Sequence, residues 1–179
     1  MRVLIDACVL YPTVLREIVL EVARTGAFTP LWSPRILEEW ARAAARIDPA
    51  QEVIARGEIA LLAARWPDAH VTPSPETEAR LWLPDTDDIH VLAAAIDGHA
   101  DALMTLNIRD FPTRALSAEG ILRRDPDGFL LEAWHSDPEG ITACVARVVA
   151  DAERLSGQPL NQRALLKRAR LPRLGKALN

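Results

Sequence analysis

Short unbroken apolar runs alternate along this chain with longer stretches in which apolar side chains return every three or four positions. These are the rhythms of buried strands and of amphipathic helices. Arg2–Ile5 is the first run, rich in Val and Ile, and predicts a central strand that ends on Asp6. Beyond Pro12, Val14, Leu15, Ile18, Val19 and Val22 keep helical spacing, with Arg16, Glu17, Glu21 and Arg24 opposite and Gly26 as the stop. Phe28–Trp32 predicts a second strand. Ser33–Pro34 joins a capping hydroxyl to a proline at the first helical position, and Ile36, Leu37 and Trp40 form the stripe of that helix. Asp48–Pro49 starts a third helix, expected to reach Arg65.

The second half repeats the alternation. His70–Thr72 is a brief extended piece, and Glu76–Leu83 a helical turn that Pro84 ends. Val91–Ile96 reads as a buried, Ala-rich helix stopped by Gly98, and Ala102–Leu106 as the next buried strand. Pro112–Leu116 is a short helix or turn, and Gly120–Arg124 an edge strand. Asp125–Pro126 and Asp137–Pro138 each restart a helix, and after Gly157–Gln158–Pro159 one last helix carries basic residues. Strands alternating with helices predict an α/β fold with a mostly parallel sheet. The expected organisation is a sheet domain over residues 1–132 and a helical extension over 133–179.

Composition sharpens this picture in two places. With 179 residues, 49% of them hydrophobic, the chain can fill one core and carry an appendage. The net charge of -4 hides an asymmetry, because Arg163, Lys167, Arg168, Arg170, Arg173 and Lys176 close the chain with no acid among them. Cys8 and Cys144 are the only cysteines, and two isolated residues with no close spacing give no zinc motif and no disulfide framework. No run has the length of a membrane span and the N-terminal stretch lacks the features of a signal peptide, so the expected compartment is the cytoplasm, with no membrane partner.

The chemistry lies in the acids. Asp85, Asp87 and Asp88 stand together just before the Ala-rich helix. Helix capping accounts for one or two of them, but not for three charges that repel one another. Thr105, Asn107 and Asp110 follow the strand Ala102–Leu106, and Asp6 follows the first strand. Ligands of open α/β sheets bind outside the carboxyl ends of the strands, which gathers these groups at one rim. On the helix after Ser33, Glu38 and Glu39 point about 100° apart, so one of the two faces the same pocket. His90 is set aside as a core or surface histidine. The expected site holds Mg²⁺ or Mn²⁺ on carboxylate oxygens and hydrolyses RNA. It needs no Ser–His or Cys–His pair, and no Gly-rich phosphate loop is present.

The segments VLIDACVLYP, SPRILEEW, PDTDDIHVLAAAI and LMTLNIRDF, spread over roughly residues 1–132, together resemble the PIN-domain ribonucleases, above all the VapC-type toxins of bacterial toxin–antitoxin pairs. The resemblance implies a PIN-like three-layer fold and a catalytic set of Asp6, Glu39, Asp88 and Asp110. Metal binding falls to Asp6, Asp88, Asn107 and Asp110, with one or two ions, and Asp85 and Thr105 support them. Glu39 matches the family glutamate better than Glu38. Asn107 stands where many relatives carry a fourth acid, so that role is shared with Asp110. The resemblance also implies an antitoxin that blocks the site, an RNA substrate and a possible homodimer. Arg163, Lys167, Arg168, Arg170 and Arg173 are then the expected contacts to RNA phosphates or to an acidic antitoxin segment.

Other readings share parts of this pattern. A PIN nuclease of RNA maturation has the same acids. A catalytically inactive binding module keeps the fold, and Asn107 is its support. A receiver domain needs a lysine at the end of its last strand, whereas the first lysine here is Lys167. A haloacid-dehalogenase-like phosphatase needs a second aspartate where Cys8 stands.

Overall fold

The computed structural model describes residues 1–178. In chain order it contains β1 (Arg2–Ile5), α1 (Ala7–Leu10), α2 (Thr13–Arg24), β2 (Thr29–Leu31), α3 (Pro34–Ala45), α4 (Pro49–Arg65), α5 (Pro75–Arg80) and α6 (Ile89–Asp97). There follow β3 (Ala102–Met104), α7 (Thr113–Ala118), β4 (Leu122–Arg124), α8 (Pro126–Ser136), α9 (Pro138–Ser156), α10 (Gln162–Arg168) and α11 (Pro172–Ala177). Single 3-10 turns cover Pro67–Ala69 and Thr86–Asp88. This is an α/β fold with a parallel central sheet and helices closing the chain. The chain forms two compact units, one of Met1–Tyr11 with Thr29–Arg123, the other of Pro12–Phe28 with the stretch from Arg124 onward.

The first unit is built on a four-stranded sheet in the order β2-β1-β3-β4. Val3, Leu4 and Ile5 are fully buried, as a central parallel strand covered on both faces requires. β1 pairs in parallel with β2 through Val3↔Pro30 and with β3 through Ile5↔Met104. Pro30 cannot donate to a ladder, and β2 is the edge strand where that is tolerated. The extended piece expected at His70–Thr72 is a single bridge, Trp32↔His70, alongside β2.

Where the sequence carries a local signal, the elements start as expected. Ser33 Oγ accepts the N–H of Ile36 at 3.2 Å, and Asp48 Oδ1 that of Ala50 at 2.8 Å. The strand expected over Ala102–Leu106 stops at Met104, because the next amides turn to side chains. The N–H of Leu106 donates to Cys8 Sγ at 3.2 Å and that of Asn107 to Thr105 Oγ1 at 2.9 Å. The turn of α1 has no sequence signal. It forms because the Asp6 carbonyl accepts from the N–H groups of Val9 and Leu10, at 3.0 and 3.2 Å.

In the second unit α2 packs on α9, where Arg147 Nε pairs with Glu21 Oε1 at 2.6 Å. The buried carboxylate of Asp127 on α8 accepts the N–H groups of Arg173 and Leu174, at 2.9 and 3.0 Å, and so holds the start of α11. The single basic helix expected at the end is two helices. Arg170 turns with φ 61, and Pro172 has no N–H to continue α10 and biases Leu171 away from helical geometry. No helix of the described residues is long and apolar enough to cross a membrane.

Candidate metal centre

The register of β1 on β3 creates the site. With Ile5 opposite Met104, the next residues of the two strands, Asp6 and Thr105, meet at the carboxyl rim of the sheet. The Asp6 N–H donates to the Met104 carbonyl at 3.1 Å. Asp6 is 5% exposed, and its carboxylate caps no helix. Instead Oδ2 accepts the Thr105 hydroxyl at 2.6 Å and the Cys8 thiol at 3.0 Å. Burial, then the Asp6 charge, pushes the Cys8 thiol up to about 12. Cys8 is therefore a thiol donor to Asp6 at neutral pH, not a thiolate nucleophile. Thr105 spends its one proton on Asp6 and accepts the Asn107 N–H, so its hydroxyl orients the acid directly.

Asp85, Asp88 and Asp110 each bring a carboxylate oxygen to within 4.8 Å of the others. Asp85 also closes the 3-10 turn, with Oδ1 accepting the Asp87 N–H at 2.9 Å, whereas the Asp88 side chain caps nothing. Asp110 sits in a loop tied down by Arg123, whose Nη1 donates to the carbonyls of Ile108 and Phe111 at 3.0 and 2.7 Å. Burial raises the Asp88 carboxyl to about 7, with the charges of Asp6, Asp85, Asp110 and Glu39 adding to it in that order. Asp6 and Glu39 lie outside this trio and reach Asp88 through their charge, and among the described residues no Lys or Arg pairs with Asp6, Asp85, Asp88 or Asp110. Asn107 Nδ2 donates to Asp88 Oδ2 at 3.1 Å, so Asn107 meets the surplus of acceptors as a donor. An all-oxygen donor set with uncompensated charge fits a hard divalent cation.

Glu38 and Glu39 point in different directions from α3. Glu38 is clamped by Arg56, at 2.9 and 3.2 Å, and by Arg42 at 3.2 Å, and these arginines hold its carboxyl below the usual range. Glu39 turns toward the acids, with Oε1 2.6 Å from Nε2 of His90 and 4.0 Å from Nε of Arg35. His90, set aside on sequence grounds, is 1% exposed. The signal that pointed to it was present: a lone polar ring in a helix whose other residues, apart from the closing Asp97, are Ile, Val, Leu and Ala.

A groove of about 750 Å³ adjoins the acids, lined by Ala7, Cys8, Tyr11, Arg35, Glu38, Glu39, Trp40, Arg42, Ala43, Arg46 and Asp87. Arg35, Glu39, Arg42 and Arg46 recur at helical spacing and share one face of α3. Sequence analysis passed over this basic face. The basic residues it singled out, Arg163, Lys167, Arg168, Arg170 and Arg173, belong to the second unit, on and between α10 and α11.

The family model described as PIN domain matches residues 2–109. No curated protein and no solved structure matches the chain. The matched span contains Asp6, Glu39, Asp85, Asp88, Thr105 and Asn107, and Asp110 is the next residue after it.

Proposed function

The chain belongs to the PIN-domain family, and from that premise we propose that it is a divalent-metal-dependent endoribonuclease, the toxin of a bacterial toxin–antitoxin pair, acting in the cytoplasm. The observation that supports the reading is the close set of Asp85, Asp88 and Asp110, with Asp88 raised to about 7 and, among the described residues, no Lys or Arg paired with any of the three. Asp6, Asp88 and Asp110, with Asn107 beside them, would hold Mg²⁺ or Mn²⁺. When bound, such an ion makes water a better nucleophile and offsets the charge of a phosphodiester. Asp6 is pre-oriented by Thr105 and Cys8, so its oxygens need little rearrangement to bind. Glu39, partly exposed in the groove wall, takes the proton of the attacking water.

The substrate reading rests on the groove. Arg35, Arg42 and Arg46 offer guanidinium groups beside the acids, where the strand flanking the cleaved bond would lie. In this reading the basic residues of α10 and α11 meet further RNA phosphates or an acidic antitoxin segment. The exposed Val53, Ile54 and Leu61 of α4 offer apolar surface to an antitoxin or to a second copy of the chain.

The test is cleavage of total RNA by purified protein in Mg²⁺ or Mn²⁺ and in EDTA, beside Asp6→Asn. Discrete fragments that vanish in EDTA and in the folded variant are the expected outcome. Intact RNA in every metal, from folded protein free of a copurified inhibitor, would overturn the nuclease and favour an inactive PIN-fold binding module.

A further inference from the structure

His90 is buried on α6, with its side chain wholly shielded from solvent, yet Nε2 lies 2.6 Å from Oε1 of Glu39. The approach is close but not aligned as a hydrogen bond, and neither ring nitrogen has any other partner among the described residues. A carboxylate oxygen offers only lone pairs, so an approach this short is favourable only when Nε2 carries a proton. Nε2 supplies it in the neutral Nε2–H tautomer and in the charged ring alike. The neighbours on α6, Val91, Leu92, Ala93, Ala94 and Ala95, are buried and apolar, and give the ring no alternative.

Glu39 needs such a partner. The α3 backbone is fixed by the Ser33 cap and by buried Ile36, Leu37 and Trp40, but the Glu39 carboxylate stands partly exposed at the groove. Its other ionic neighbour is Arg35, which is exposed and 4.0 Å away. An exposed guanidinium on a flexible stem does not hold a carboxylate to one orientation. A ring packed in the core has few rotamers open to it and does.

We propose that His90 is a positioning residue for the reaction: its buried Nε2–H holds the Glu39 carboxylate toward the aspartates. The proposal rests on the ribonuclease reading above and adds a residue that acts only through Glu39.

The test is a double-mutant cycle on a transcript that the wild type cleaves. His90→Leu and His90→Gln are each placed in the wild type and in Glu39→Gln, with thermal midpoints measured alongside. His90→Leu is expected to lower kcat about 10- to 100-fold, the scale of a displaced catalytic group, with KM little changed. His90→Gln, which keeps a donor, should recover a large part of that activity. In the Glu39→Gln background His90→Leu should cost nothing further. An equal drop in both backgrounds, or full activity in His90→Leu, would overturn the proposal and leave His90 a core residue.

The ring itself gives a readout independent of cleavage. In the metal-free protein the His90 Nε2–H resonance should be observable and should shift on Glu39→Gln, and an unaffected resonance would also overturn the pairing. A wild type that leaves RNA intact while the resonance responds to Glu39→Gln overturns the ribonuclease reading and this assignment of purpose together. Cleavage with additive effects of the two substitutions overturns the positioning role alone.

Discussion

At the scale of single residues, the burial and charge repulsion of the centre fall on Asp88, and its proton balance can be measured. Its folded value, about 7, lies above the ordinary 3.8. Between those values the folded protein holds a proton that the unfolded chain has lost, so acidification stabilises the fold, and the penalty is fully present above pH 7. Asp88 is only half-buried and solvent screens it, so the swing is on the order of 1–2 kcal/mol, a few degrees in Tm for a chain of this size. In EDTA the Tm difference between Asp88→Asn and wild type should be positive at pH 7.5 and shrink toward pH 5. Mn²⁺ should remove it at pH 7.5 by stabilising the wild type alone. A difference independent of pH would show that Asp88 does not carry the strain of the cluster. The acids themselves were legible in the sequence, because their types and their places after strands are local facts. The roles of Cys8, Thr105 and His90 were not, because each depends on a partner brought close by folding: Asp6 and Thr105 are 99 residues apart.

At the scale of elements, α3 carries the sharpest division of labour. Adjacent residues on a helix point about 100° apart, and here that angle separates the clamp on Arg56 from the approach to His90. Glu38→Gln should leave RNA cleavage within about twofold and cost little stability, since its ion pairs are exposed. Glu39→Gln should lower kcat by about 100-fold or more, the contribution of a general base. The opposite ranking in kinetics on one transcript would mean that the reaction uses the other face of the helix. The helices opened by Ser–Pro and Asp–Pro were readable because a cap bond forms within three residues, as at Ser33, Asp48, Asp125 and Asp137. The strand ends were not, because side chains of other segments decide where the ladder stops. The break at Arg170 was missed for a different reason: Pro172 marked it, but the basic composition on both sides looked continuous.

At the scale of the whole molecule, net charge gives no hint of a nucleic-acid ligand, and the distribution of charge does. The arginines of α3 lie beside the acids in one groove, so their contribution should appear in the salt dependence of the reaction. Arg42→Ala with Arg46→Ala should raise KM and leave kcat near the wild-type value. It should also flatten log KM against log salt by about 0.7 for each phosphate of single-stranded RNA that the arginines no longer neutralise. An unchanged salt slope would place the RNA elsewhere, with the basic residues of α10 and α11 as the next positions to vary.

The pairing of α2 with α9 has a consequence in time. α2 leaves the ribosome early, with Leu15, Ile18, Val19 and Val22 ready to be buried, but Arg147, the partner of its Glu21, follows 126 residues later. Contacts so distant in sequence form late and slowly. During synthesis the second unit therefore stays open until α9 has emerged, long after every acid of the centre has been made. If the proposed ribonuclease activity holds, that interval is one in which a partner or a protease would meet a chain whose acids are all made and whose fold is not complete.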